Sequence, residues 1–292
     1  RCCLFIVFAI FIFHKIGGRI VDILWIIFFE NIVISTIIFL YLIHKAKLHK
    51  RHLYKDNIFA ILSSTLINCL IFNIVTVNKF LMFLIVTPVL IVVIIICIGI
   101  WRFYRDPERK SDAGEDDIVC PADGQIIYIK KLDKNEMPFS VKGKNISKLK
   151  EITKSNILNE PCYLIGIVMT FFDVHVNRSP IKGKVILNKH INGKFLSLKL
   201  GESDIENERC TIVIENEIDR VGVVLIASRR VRRIVSFVKE GQVMQKGQRV
   251  GIIKFGSQVD LIIPQKYEVN SKIGEQVFAG KTIIASLKNH NL

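Results

Sequence analysis

The sequence is short of several things, and each shortage removes a class of protein. It has no C-x-x-C pair: its seven cysteines, Cys2, Cys3, Cys69, Cys97, Cys120, Cys162 and Cys210, form an odd set without a framework. That argues against zinc-ribbon and disulfide scaffolds and fits buried thiols in a reducing compartment, so no metal is expected. No lysine stands in a pyridoxal-phosphate motif, and no basic motif with interleaved aromatics is present. Neither pyridoxal phosphate nor nucleic acid is therefore expected. Acidic residues are scarce as well, 26 against 41 Lys and Arg, for a formal net charge of +15.

Charge is missing altogether from long stretches. Phe80 to Trp101 and Asn57 to Asn78 are each 22 residues without a charge, and Ile23 to Ile43 carries only Glu30. Each is long enough to cross the hydrocarbon core of a bilayer. Residues 2–13 are apolar but short and read as a partial helix. A signal peptide is the rival there, set aside because no small-residue cleavage site follows and further apolar segments do. Three to four transmembrane helices are expected, at about 2–13, 23–43, 57–78 and 80–101, with a hairpin turn at Val77, Asn78 and Lys79.

Lys45, Lys47, Lys50, Arg51 and Lys55 cluster between the second and third of these segments. By the positive-inside rule that loop is cytoplasmic, and the hairpin returns the chain to the same side. A multi-pass protein of the cell membrane is expected, its remaining domain facing the cytoplasm. The charge divides into +6 before residue 102 (nine Lys and Arg less three Asp and Glu) and +9 after it (32 less 23). Beside membrane spans, such an excess matches anionic lipid head groups.

After the membrane region, 1–101, a juxtamembrane linker is expected over 102–117, acidic between Asp112 and Asp117, and then a folded domain over 118–292. Gln125–Ile129, Cys162–Thr170, Lys184–Leu187, Thr211–Glu215, Val221–Ala227 and Arg249–Lys254 are short Val- and Ile-rich runs punctuated by Gly, Pro or Asn. They predict strands. The stretch from Val238 to Gly251 is echoed from Ile273 to Ile284, each with paired turn glycines. This rhythm resembles a barrel-sandwich, lipoyl-type module. The fold class expected is thus N-terminal transmembrane α-helices followed by a mainly β domain, with 133–160 as a long loop or lid.

Three segments carry residues with chemistry. Gly256-Ser257 supplies a hydroxyl, Pro121-Ala122-Asp123-Gly124 a carboxylate, and Phe172-Asp173-Val174-His175-Val176-Asn177-Arg178-Ser179-Pro180 an imidazole. Together they are the raw material of an activated serine. By residue type alone each has an ordinary reading: two turns and a surface histidine. Strand alternation sets Asp173, His175 and Asn177 on one face and Val174 and Val176 on the other, which argues against a core position for His175.

These segments, with Phe103-Tyr104-Arg105-Asp106-Pro107-Glu108-Arg109, Asn207-Glu208-Arg209 and Gly247-Gln248-Arg249-Val250-Gly251, resemble the phosphatidylserine decarboxylase family over roughly residues 100 to 287, more closely its short archaetidylserine-type branch. The sequence departs from the family pattern at Leu225, Ser228 and Val231, which bears on substrate fit. The resemblance implies self-cleavage between Gly256 and Ser257, in which the Ser257 hydroxyl attacks the Gly256 carbonyl and the resulting ester breaks by β-elimination. Hydrolysis of the dehydroalanine then leaves a covalent pyruvoyl group as the electron sink for decarboxylation. The implied partners are phosphatidylserine and anionic membrane lipids, together with the protein's own cleaved β and α chains; a homo-oligomer is left open.

The resemblance also implies roles. His175 acts as general base towards Ser257 and then as proton carrier, with Asp123 orienting it and Asp173 competing for that role. Arg178 and the cluster Arg229, Arg230, Arg232 and Arg233 are candidates for holding phosphate, since guanidinium presents a planar fork of donors. The alternatives are a non-enzymatic lipoyl-like membrane adapter, an inactive relative, or a relative acting on another serine-bearing lipid such as archaetidylserine.

Overall fold

The computed structural model describes residues 18–46, 50–74, 82–132, 161–191, 208–227, 234–254 and 257–288. The chain divides into two compact units, Arg1–Trp101 and Arg102–Leu292.

The first unit is helical: α1 (Gly18–Ala46), α2 (Arg51–Ile74), and a π-helical turn, Met82–Val86, that runs into α3 (Thr87–Tyr104). Within them Leu24–Lys45, Tyr54–Phe72 and Leu84–Tyr104 are long and apolar enough to cross a membrane. The widened turn precedes Pro88, which has no N–H to continue the α-helical ladder. The short apolar segment at 2–13 and the turn at 77–79 lie outside the described residues.

The polarity of these helices is reversed relative to a water-soluble bundle. Trp25, Phe29, Ile37, Phe59 and Ile96 are exposed, whereas Asn31, Ser35, Asn57, Ser64, Asn68 and Thr87 are buried. Asn31 donates to Thr65 Oγ1 (3.1 Å) and accepts from the Ser64 hydroxyl (2.9 Å), while Ser35 bonds Asn57. Thr87 reaches Asn68 at 3.4 Å. Apolar side chains outside and paired polar groups inside are what a lipid solvent selects.

Among its described residues the second unit is built of strands, apart from the end of α3. In chain order they are β1 (Asp117–Val119), β2 (Gly124–Leu132), β3 (Cys162–Met169), β4 (Val176–Arg178), β5 (Gly183–Ile191), β6 (Arg209–Glu215) and β7 (Arg220–Ala227). They continue as β8 (Ile234–Ser236), β9 (Val243–Met244), β10 (Arg249–Ile253), β11 (Ser257–Pro264), β12 (Tyr267–Val269), β13 (Gln276–Val277) and β14 (Ile283–Leu287). All six strands expected from the sequence are present. One sheet runs β13-β2-β3-β11-β7-β6-β5-β9, and two small sheets run β1-β14-β12 and β4-β10-β8.

The main core takes the alternate residues of the long strands, including Ile165 and Ile167 from β3, Val223 and Leu225 from β7, and Val259, Leu261 and Ile263 from β11. The opposite residues of the same strands, Val224, Ile226 and Ile262, form a smaller cluster with Leu132 and Cys162. Burial of both faces explains why β7 reads as an unbroken apolar run. Each such side chain contributes roughly 1.5–3 kcal/mol by leaving water.

The segment leading into this unit is fastened along its length. Arg249 pairs with Asp106 and Glu108, and the Lys246 ammonium is held by the carbonyls of Gly114, Glu115 and Asp117. The acidic stretch expected as a linker is therefore anchored to the β9–β10 turn. The 133–160 lid lies outside the described residues.

Candidate active site

The connection from β3 to β4 carries the histidine. Asp173 closes its first turn: the Asp173 N–H donates to the Thr170 carbonyl (3.0 Å), and Asp173 Oδ2 accepts from the Thr170 N–H (2.9 Å) and hydroxyl (2.7 Å). Gln276 Nε2 donates to the other carboxylate oxygen at 3.2 Å. The Asp173 carboxylate is thus occupied in shaping the turn, and its main-chain carbonyl meets His175 Nδ1 at 2.9 Å.

A carbonyl can only accept, so Nδ1 carries the proton and Nε2 keeps its lone pair. That Nε2 is buried and has no hydrogen-bond partner among the described residues. Burial pushes the imidazole down to about 4, outweighing the opposing pull of the Asp173 carbonyl and of the Asp173 and Asp123 charges. The ring is neutral at physiological pH, and its Nε2 keeps a lone pair that can accept a proton.

The expectation of a solvent-facing histidine is corrected here. Asp173, Val174, His175, Val176 and Asn177 are all buried, because only 176–178 form strand and the preceding turn is covered on both sides. One cover is Phe103, whose ring lies 4.0 Å from the imidazole, centroid to centroid, and stacks on Phe171.

Asp123 immediately precedes β2. Arg109 grips it with both guanidinium nitrogens (2.5 and 2.8 Å), and the Ala279 N–H donates to Oδ1 (2.8 Å). Its oxygens are therefore engaged by Arg109 and the main chain, and its action on His175 is through charge. Gly124 follows because a Cβ there would lie 2.2 Å from the Val168 carbonyl oxygen.

Ser257 opens β11, in register with Met169 of β3 and Ala227 of β7. Four residues earlier, the Ile253 N–H donates to the His175 carbonyl (3.4 Å), and Ile252 pairs with Val176. The main chain thus brings the histidine turn against the end of β10, four residues before Ser257. Gly256 and the cluster Arg229, Arg230, Arg232 and Arg233 lie outside the described residues.

Arg178 is inside the domain and serves it. Its guanidinium donates to Gly247 O (2.9 Å), Pro107 O (2.8 Å) and Asp106 Oδ1 (3.1 Å). An open groove of about 860 Å³ passes this residue and is lined also by Arg109, Lys110, Lys246 and Arg249, but not by His175 or Ser257. No local pattern signals the Phe103 contact or the Asp173 carbonyl; Arg109 stands in the lead-in motif, but nothing in the sequence ties it to Asp123.

The described residues place a serine at the start of β11 and a buried imidazole beside the end of β10, in a β-rich unit that follows three apolar helices in the chain. The chain belongs to the phosphatidylserine decarboxylase family, whose sequence profile matches residues 99–285. It is 42% identical over 189 residues to a protein of Methanocaldococcus jannaschii provisionally named an archaetidylserine decarboxylase proenzyme, covering 65% of this chain and 90% of that one. It is also 38% identical over 190 residues to the phosphatidylserine decarboxylase proenzyme of Magnetococcus marinus, covering 65% and 78%. A third relative, the phosphatidylserine decarboxylase proenzyme of Novosphingobium aromaticivorans, is 36% identical over 191 residues, covering 65% and 73%. α1 and α2 precede the matched region.

Proposed function

We propose that the protein is a self-cleaving, pyruvoyl-dependent decarboxylase that converts phosphatidylserine to phosphatidylethanolamine and carbon dioxide. Family membership carries the reaction class, and the unpartnered Nε2 of His175 is the structural observation that supports the site. Family membership also displaces the non-enzymatic adapter reading. Ester and ether lipids share the serine head group, so archaetidylserine, named for one relative reported above, presents the same reacting group.

In the first stage His175 Nε2 takes the proton of the Ser257 hydroxyl as the oxygen attacks the Gly256 carbonyl, and the imidazolium returns it to the scissile nitrogen as that nitrogen leaves the acyl carbon as an amine. Asp173 fixes the tautomer through its carbonyl, and Asp123 with Arg109 holds the start of β2. The fit of a Ser257-derived pyruvoyl group rests on that orphaned imidazole nitrogen in a buried setting. Such a group supplies an electron-accepting carbonyl for the carbanion left when carbon dioxide departs. His175 then returns a proton to the product carbon from its buried place beneath the Phe103 ring.

The three apolar helices support membrane association, and the Lys45–Lys55 cluster supports a multi-pass arrangement with the catalytic unit in the cytoplasm. The basic charge of the second unit and the cluster at 229–233 favour an anionic lipid over free serine. The test is carbon dioxide release by purified protein. Turnover of phosphatidylserine in mixed micelles with little on free serine or phosphoserine is expected; equal turnover of all three would contradict the assignment of substrate.

A further inference from the structure

The β-rich unit contains the same arrangement twice. β4 and β5 begin 59 residues after β1 and β2 (176 against 117, 183 against 124), and each member of a pair has the length of its counterpart. β12 and β13 begin 33 residues after β8 and β9 (267 against 234, 276 against 243). The ladders agree: β2 on β3 shifts register between Ile126 and Tyr128, and β5 on β6 shifts between Val185 and Leu187, two and four residues after Gly124 and Gly183.

The details repeat too. A Cβ on Gly124 would meet Val168 O at 2.2 Å, and one on Gly183 would meet Glu215 O at 2.4 Å. Gly241, Gly247, Gly274 and Gly280 all have positive φ. The Gly247 N–H donates to Ser179 O and the Gly280 N–H to Cys120 O, both at 2.8 Å. Val119 N–H donates to Pro180 O (3.0 Å), and Arg178 N–H donates to Pro121 O (2.8 Å), a reciprocal pair across a twofold axis. The eight-stranded sheet is palindromic about its β11–β7 centre.

One copy is therefore β4 to β10, a continuous stretch. The other is β1 to β3 completed by β11 to β14, with the first copy inserted between. The chain crosses between copies twice, after β3 and before β11, and these crossings carry His175 and Ser257. In the uninterrupted copy the corresponding strands, β6 and β7, are joined by a tight turn, Asn216 to Asp219, closed by the Asn216 N–H to Asp219 O (2.9 Å). Following the ladders, Met169 opposite Ser257 corresponds to Asn216 opposite Asp219.

That counterpart of the cleavage position is built differently. Asp219 is buried, and it accepts from the Tyr267 hydroxyl (2.6 Å) and pairs with Lys266 Nζ (2.8 Å). Both partners lie after Ser257, whereas Asp219 lies before it. The counterpart of Tyr267 in the other copy is Ile234, with no hydroxyl to give, so the contact is not a relic of the repeat.

We propose that the domain is a duplicated module, one copy inserted into the other, and that Asp219, Tyr267 and Lys266 are the latch that holds the small C-terminal fragment on the large one after self-cleavage. The proposal rests on the cleavage reading above. The cut falls in a crossing between copies, so neither copy loses a strand connection of its own type. What the lost peptide bond held by tethering, the latch holds by a charge-assisted hydrogen bond and an ion pair in a largely buried place.

The test uses the full chain in detergent, carrying Tyr267→Phe or Asp219→Asn, with fragment release followed by size exclusion through a urea series. In the cut chain each variant should raise the freed fraction of the small fragment at least tenfold at an intermediate urea concentration, with the extent of cutting unchanged. In the uncut Ser257→Ala chain the same substitutions should move the unfolding midpoint much less, because the tether keeps β11 to β14 at hand. Equal shifts in cut and uncut chains, or no change in release, would overturn the latch. Failure of self-cleavage would overturn the cleavage reading instead; a protease site replacing 254–256 then supplies the cut, and the latch stands or falls on the same release.

Discussion

The Phe103 ring covers the His175 imidazole at 4.0 Å, and His175 is fully buried beneath it, its Nε2 unpartnered among the described residues. Phe103→Ala should let water reach the ring and move its pKa up from about 4 towards the ordinary 6.5. The measurement is the imidazole titration by NMR in the Ser257→Ala chain. Phe103→Leu, which restores apolar cover, should stay near the native value; an unchanged titration in both variants would show that the ring does not seal the site.

The same lowered pKa sets a stability window. The folded state resists protonation that the unfolded chain accepts, so the contribution of neutral His175 is fully present above about 6.5. It is lost as pH falls towards about 4, by roughly 3 kcal/mol. Urea unfolding of the Ser257→Ala chain at pH 7 and pH 4.5 should show this fall, and His175→Gln should reduce the difference between the two pH values. Self-cleavage should likewise persist at pH 5.5, where an exposed histidine would already be largely protonated.

Arg109 and Asp123 are a buried bidentate pair, with side-chain exposures of 9% and 1%. Arg109→Ala leaves the carboxylate without its counter-charge and should destabilise the domain by about 3–5 kcal/mol. Thermal unfolding checks this. Asp123→Asn should destabilise and slow cleavage, whereas Asp173→Asn should disturb the Thr170 turn and hence the ring orientation. Normal cleavage in Asp123→Asn alongside arrested cleavage in Asp173→Asn would move the supporting role from one carboxylate to the other.

In the helical unit, Asn31→Leu removes a donor to Thr65 and an acceptor for Ser64. The expected loss is on the order of 1 kcal/mol, in line with polar contacts between membrane helices. Unfolding in mixed micelles should register it, while the isolated change Phe29→Leu on an exposed position should not.

Much of this architecture was legible in the sequence because its signals are local. Uncharged runs such as Phe80 to Trp101 mark helices by length alone, and the Val- and Ile-rich runs from Gln125 to Lys254 fell on strands. The echo between Val238–Gly251 and Ile273–Ile284 was visible because glycines with positive φ recur in it. The matching pair Pro121–Ile127 and Pro180–Ile186 is faint in the sequence, since only a proline, a glycine and apolar residues repeat. Burial of His175 is hidden for a related reason: alternation assumes a strand, and 171–175 is a turn covered by Phe103, 72 positions before His175 in the chain. Pairings such as Arg109 with Asp123 or Asp219 with Tyr267 depend on strand order, which no local pattern encodes.

The most direct measurement is the intact mass of purified protein with sequencing of its fragments. The account predicts two fragments cut between Gly256 and Ser257, the smaller blocked at its first residue by a pyruvoyl group and both absent from Ser257→Ala. A single uncut chain that releases carbon dioxide from phosphatidylserine would contradict it.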